Sequence, residues 1–435
     1  MRLSSTYTHQ KSINIYTFAV ASVGFSAFTF STLIPSHFAY MAVAFCLCWS
    51  GLLLLKNGFL EKKIFYFLTC FILPFLVSLI SLPFAMVNEM HRFDYSQLSI
   101  LGRLVNIFVF FMLILSIHQF SKDQNRLLLF KWYQIGIFML LLTALWHAVS
   151  LYTGLVSWPF ETRSNLHSAY GNEYSFTDRV TGIAREPSFF VMYVVDYIAL
   201  SFVFFTGFRK LIAIFLACLL MVLSLSPSGY IVLFLCFSLS YLFSRVDIND
   251  GKRIAGFLVL SATMILALIL LLKTENPFFE YILNRVTNVD PNNSGRLFML
   301  LGPLEWIKDS SLFNFIFGHG MKSYAIIGTS IALPNGEPVH VTSNNLYIDV
   351  FWEAGIIGLI LLLAYFLFVF LKIFKIKFSG AQRFTTFFVF FDLVFSAVFR
   401  ADYASLRFFL MLFLLFILLN YDLGLEQDKH LAGLR

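Results

Sequence analysis

Long apolar blocks separated by polar connections recur along this chain from end to end. A bilayer core of roughly 30 Å takes about 20 apolar residues per helix. With that ruler about twelve transmembrane helices are expected, near residues 12–32, 37–55, 64–87, 99–120, 128–152, 187–207, 211–226, 229–244, 254–272, 346–371, 384–400 and 403–420. The expected fold is therefore all-α, a polytopic integral membrane protein in which residues 1–435 make one membrane domain. The first apolar segment has no small-residue cleavage site and reads as the first membrane helix, not as a signal peptide.

Composition agrees with this pattern. Of the 435 residues 59% are hydrophobic and 13% charged, 55 are phenylalanine, and mean hydropathy is +0.79. A soluble globular surface cannot be built from such a mixture. The formal charge of +7 changes the picture only through topology. Clusters such as Lys56, Lys62 and Lys63, or Lys372, Lys375, Lys377 and Arg383, fall on alternate connections, and Lys and Arg gather in cytoplasmic loops. Both termini are then expected to be cytoplasmic, and the positive balance does not point to nucleic acid. Cys46, Cys48, Cys70, Cys218 and Cys236 all fall within expected spans and have neither disulfide-framework nor zinc-ligand spacing.

The connections are unequal. Inner ones are short, and no Gly-rich phosphate loop or dinucleotide fingerprint occurs, so neither ATP nor a nucleotide sugar is expected as fuel. Two outer loops are long, 153–186 and 273–345, and long loops are usually functional. The first ends in Arg185-Glu186-Pro187-Ser188, where Pro187 suits the first turn of the sixth helix. Arg185 and Glu186 would sit at that helix's positive end. They either cap it and pair with each other, or Arg185 binds an anion while Glu186 orients it or moves a proton.

In the second loop, Asn292-Asn293-Ser294-Gly295-Arg296 precedes an apolar-patterned stretch with Trp306, and Gly318-His319-Gly320 follows. Either Arg296 is a surface residue of the loop and Gly318 and Gly320 only make a turn, or Arg296 points toward the interface, where an arginine fork grips phosphate oxygens in pairs. The loop closes with Asn344-Asn345, which opens directly into the tenth span with Asp349, Glu353, Gly355 and Gly358.

The ordered set resembles the O-antigen polymerases and O-antigen ligases, membrane glycosyltransferases of bacterial polysaccharide assembly. The matching pieces are Arg185-Glu186-Pro187-Ser188, Ser226-Pro227-Ser228-Gly229-Tyr230, Gly295-Arg296 with Trp306, Gly318-His319-Gly320, and Asn345 followed by Gly355 and Gly358. They span about residues 181–360, with the large periplasmic loop between the ninth and tenth helices as in that family. One departure stands out: where family members, ligases above all, carry His-Asn, this chain has Asn344-Asn345. Asparagine cannot serve as a general base, so the role would pass to His340, His319 or Glu186, or be dispensable. The departure argues against ligase more than against polymerase.

The resemblance implies a polymerase in the bacterial inner membrane, active on the periplasmic face. It would transfer a growing glycan from undecaprenyl pyrophosphate to a repeat unit on the same lipid. Arg185, Glu186, Arg296, His340, Asn344 and Asn345 are the expected catalytic group, and Arg103, Arg400, His319 and Glu353 the expected substrate contacts. No metal or other cofactor is expected, since no Asp-x-Asp motif or ligand cluster is seen. A chain-length regulator and a flippase are partners implied by the resemblance alone. A flippase identity for the chain itself is disfavoured by the long outer loops and the lack of internal repeats. Asp196, Asp392 and Arg407 also lie in or near spans, and the plain account of the two aspartates is pairing with an arginine.

Overall fold

The structure is a computed structural model, and it describes residues 3–57, 61–88, 97–120, 123–160, 179–245, 310–323, 343–375 and 379–423, with short stretches between 303 and 308 and at 331–332 and 338–339. Apolar runs of the expected length form α1 (Leu3–Ser26), α2 (His37–Asn57), α3 (Lys62–Asn88), α4 (Gln97–Phe120), α5 (Asp123–Thr153), α6 (Pro187–Phe204), α7 (Gly207–Leu223) and α8 (Pro227–Arg245). After the second long loop come α10 (Leu346–Phe374), α11 (Gly380–Phe399) and α12 (Leu406–Asn420). Each coincides with an expected span. The span at 254–272 lies outside the described residues. Within the long loop a short helix α9 (Leu312–Phe317) and two short antiparallel strands, β1 (Ile331–Ala332) and β2 (Pro338–Val339), are added.

Among the described residues seven helices, α3, α4, α5, α6, α8, α10 and α11, are long and apolar enough to cross a membrane. Shorter apolar helices lie at Ile15–Thr29, His37–Leu52 and Leu406–Asn420. Apart from the short β1–β2 pair, the regular structure among the described residues is helical, and the protein is a multi-pass membrane protein.

The bundle is organised around α12, in which every residue from Leu406 to Leu419 is buried. It packs on α4 and α11, while α11 also packs on α6, α8 and α10, and α10 on α3. Phenylalanine supplies much of the contact: Phe202, Phe237, Phe384 and Phe388 meet edge to face with centroids 5.1–5.9 Å apart across α6, α8 and α11. Each such pair adds about 0.5–1.5 kcal/mol beyond its buried area.

A helix inside a membrane tolerates a break only where neighbours take up the freed backbone groups. α10 breaks at Gly355 (φ 66°, ψ −167°), a conformation essentially closed to residues with a Cβ. Gly318, at the end of α9, adopts nearly the same one (φ 83°, ψ −177°). The two backbones touch: a Cβ on Gly355 would lie 2.3 Å from the Ile316 carbonyl oxygen, and one on Gly318 2.3 Å from the backbone of Glu353. The carbonyls of Trp352 and Glu353 then accept from the N–H groups of His319 (2.8 Å) and Gly320 (3.0 Å). This contact pins residues 316–320 onto the start of α10. Gly355→Ala is expected to destabilise the protein by at least about 2 kcal/mol. The control Gly51→Ala, whose Cβ would meet nothing within 4 Å, should hold or raise the midpoint of thermal unfolding in detergent.

Candidate functional site at the gathered helix ends

Helix ends and loops meet at one end of the bundle around a cavity of about 540 Å³. Its wall draws on the α1–α2 connection (Ser31, Ser36), the first turns of α4 (Arg103, Asn106), the start of α6 (Arg185, Phe189), Lys322 from the turn after α9, and the α11–α12 connection (Asp402, Tyr403). The α1–α2 connection is tied to the first long loop by backbone bonds, Leu33 N–H to Ile183 O at 2.9 Å and Arg185 N–H to Ser31 O at 3.0 Å. Pro187 opens α6, as its fixed φ and missing N–H favour, with Glu186 immediately before it.

Strained backbone marks the same end. Among the described residues the non-glycine positions with positive φ are Ser31 (98°), Leu225 (49°), Lys322 (67°) and Asn344 (54°). Ser31 and Lys322 line the cavity, Leu225 lies in the turn that leads into α8 and Asn344 sits in the Asn-Asn motif. Each such residue costs of order 1–3 kcal/mol, and strain of this kind clusters where geometry serves function.

Charges divide into paired and available. Nη1 of Arg103 donates to both oxygens of Glu353 (2.6 and 2.9 Å) and to the Tyr403 hydroxyl (2.6 Å), which itself donates to Glu353 at 3.1 Å. Tyr403 is fixed by stacking on Phe75, 4.0 Å between centroids and 4° between planes. Burial holds its phenol well above the ordinary range, so it keeps the proton that it donates. Arg400 lies over Phe189 at 3.6 Å, donates to Ser31 Oγ at 2.7 Å and approaches Asp402 at 3.8 Å. Burial lowers the guanidinium's affinity for its proton, and the carboxylate of Asp402 offsets this.

Deeper in, Arg407 makes a two-pronged contact with Asp196 (2.8 Å each) and reaches Asp392 (3.4 Å) and Asp402 (3.5 Å). The aspartates of α6 and α11 are therefore structural partners of an arginine. By contrast Arg185 is exposed, and among the described residues its side chain is bonded through Nε to the Thr32 carbonyl (3.0 Å). Lys322 makes no hydrogen bond or ion pair with a described residue; burial and the nearby Arg103 make its ammonium harder to protonate, and Glu353 and Asp349 oppose that.

The remaining expected residues are placed differently. Asn345 caps α10, its Oδ1 accepting from the N–H groups of Tyr347 (2.9 Å) and Ile348 (3.1 Å), while Asn344 precedes it on the exposed side. Ser343 donates to Asp349, bracing that cap. Glu186 Oε2 accepts from Ser188 at 3.1 Å. His319 is off the cavity wall, buried and stacked on Trp352 at 4.0 Å with Nε2 3.1 Å from Ser310 Oγ. Arg296 and His340 lie outside the described residues.

Sequence reasoning passed over Lys322, Tyr403 and Asp402. The same is true of Arg179, whose Nε and Nη2 donate to the carbonyls of Ser224 (3.0 Å) and Leu225 (2.9 Å) and so hold the turn between α7 and α8. A lone lysine two residues past a Gly-His-Gly turn was the available signal for Lys322. Among the described residues no group of His, Cys, Asp and Glu is arranged to hold a metal ion.

Burial pushes the His319 imidazole down to about 4, only partly opposed by the Trp352 carbonyl. An unfolded chain protonates this ring near 6.5, so the unfolded state takes up the proton first. The contribution is intact above pH 6.5 and is lost as pH falls through the window from 6.5 to about 4. Thermal midpoints measured at pH 7, 5.5 and 4.5 should fall more steeply for the wild type than for His319→Phe, which keeps the stacking and cannot titrate.

The cations and the motif glycines thus stand together at one end of the bundle. No curated protein matches the chain. Residues 212–363, which contain the Ser226–Tyr230 turn, Gly318-His319-Gly320, Lys322, Asn345 and Glu353, match a family model described as O-antigen ligase, and this match supports the O-antigen ligase and polymerase family that the motifs resemble.

Proposed function

We propose that the protein is a polysaccharide polymerase of about twelve membrane spans, acting on the periplasmic face of the bacterial inner membrane. The donor is a glycan chain on undecaprenyl pyrophosphate and the acceptor a repeat unit on the same lipid. A hydroxyl of the acceptor's terminal sugar attacks the anomeric carbon of the donor. The new C–O bond forms as the bond to pyrophosphate breaks, and the electron pair leaves with the lipid pyrophosphate. The proton of the hydroxyl passes to Glu186, the carboxylate beside Arg185 and close enough to Arg400 to act on it electrostatically. Because the leaving group is already activated, no nucleotide takes part.

The observation that carries this reading is the cavity itself, where Arg185 and other cations border one space at the helix ends. Positioned positive charge around a developing pyrophosphate anion is the kind of stabilisation that usually dominates such chemistry. Arg185 neutralises the leaving group, Arg296 is assigned to the same task from the long loop, and Arg103, held by Glu353, forms part of the wall. Arg400, held by Ser31, Phe189 and Asp402, adds its charge behind the wall without contacting the lipid phosphate. Asn345 fixes the start of α10 below the site, and the polymerase reading needs no histidine at 344.

The test is the surface glycan of a deletion strain complemented with wild type, Arg185→Ala or Arg185→Lys, with membrane levels measured in parallel. Arg185→Ala is expected to leave single repeat units in place of a ladder, through a loss of about 10²–10³-fold in rate, and Arg185→Lys to recover part of the ladder. Polymerised lipid-linked chains that accumulate unattached in the deletion strain would point to ligation instead. Units trapped on the cytoplasmic side would point to flipping.

A further inference from the structure

Two loops deliver cations to the cavity by independent routes. Arg185 arrives from the first long loop, fixed by its N–H to Ser31 and its Nε to Thr32. Lys322 arrives from the second. Its position is set by the glycine contact: Gly318 and Gly320 dock on the broken start of α10, Ser323 N–H bonds the Gly320 carbonyl at 3.2 Å, and Lys322 is held between them at φ 67°. A lysine in that backbone conformation is strained where glycine would not be, yet the chain places one there, with its side chain on the cavity wall. Arg103 is taken by Glu353, Arg400 by Ser31 and Asp402, and Arg407 by its aspartates. Arg185 and Lys322 are the lining cations that make no ion pair with a described residue.

We infer that Lys322 is a diphosphate-binding residue, contacting one phosphate of the lipid pyrophosphate while Arg185 contacts the other. The inference rests on the transfer reading above and adds the residue through which the site tells a diphosphate from a monophosphate. A single phosphate satisfies one of two cations anchored on separate loops, whereas a diphosphate bridges both. The half-buried ammonium, short of solvent and close to Arg103, gains more from an anion than a surface lysine would. Glu353 and Asp349, the carboxylates near it, offset part of that burial.

The experiment uses the full chain in lipid nanodiscs and measures displacement of a fluorescent isoprenyl pyrophosphate by geranylgeranyl pyrophosphate, geranylgeranyl monophosphate and inorganic pyrophosphate. The wild type is expected to prefer the lipid pyrophosphate to the monophosphate by at least about tenfold, the scale of one extra charge-assisted contact. Inorganic pyrophosphate should compete, because the diphosphate itself is read. Lys322→Gly relieves the backbone strain, so its thermal midpoint should equal or exceed that of the wild type, while the preference collapses to within about threefold. Lys322→Arg should retain the preference.

A Lys322→Gly protein that folds and still prefers pyrophosphate tenfold would overturn the role of Lys322 and leave the transfer reading standing. So would a preference that inorganic pyrophosphate cannot compete with, since the chain and not the headgroup would then be read. A wild type that binds no isoprenyl phosphate would remove the transfer reading, and this inference with it.

Discussion

A charge inside a membrane-embedded bundle must find a partner, and that requirement sorts this molecule into scaffold and site. Removing one partner of a buried pair costs about 3–5 kcal/mol, so the chain surrounds Arg407 with Asp196, Asp392 and Asp402 at the head of its most buried helix. This cluster joins α6, α11 and α12 and sets the level at which the α11–α12 connection emerges. Arg103 and Glu353 do the same between α4 and α10, with Tyr403 as the shared third member. What these pairs build is the wall of a cavity. The lining cations that make no ion pair with a described residue, Arg185 and Lys322, stand on loops beside it, and in the proposed reaction a lipid-borne anion does for them what carboxylates do for the others.

The glycine contact between α9 and α10 serves the same end by different means. A helix entering the membrane cannot waste carbonyls, so the break at Gly355 obliges the loop to supply N–H donors. His319 and Gly320 supply them, and the loop that carries Lys322 becomes part of the bundle instead of a separate flap. His319, with its ring packed flat on Trp352, belongs to this clamp in the structure, and its neutrality suits a place between an indole and a serine hydroxyl.

The helices were legible in the sequence because a run of about 20 apolar residues has few readings besides a span, and the opening of α6 was legible because proline has so few places to go. That Asp196 and Asp392 would pair with an arginine followed from the cost of leaving them alone. Which arginine did not follow, since Arg407 and Asp196 are brought together by the packing of both α6 and α12 on α11. The cap at Asn345 could have been read from a side-chain acceptor standing before an apolar run. Lys322 could not: positive residues in long outer loops carry little topological meaning, and only the strained turn and the cavity give this one its place. The Arg103–Glu353 contact spans two helices far apart in the chain and leaves no local trace.

The most direct test of the central claim is reconstitution: purified protein in nanodiscs, given a polyprenyl-pyrophosphate-linked repeat unit as both donor and acceptor, with no nucleotide. The account predicts lipid-linked products of two, three and more repeat units, with one polyprenyl pyrophosphate released for each bond formed. A preparation that leaves the repeat units unjoined, and joins glycan to substrate only when a lipid A-core acceptor is supplied, would contradict it.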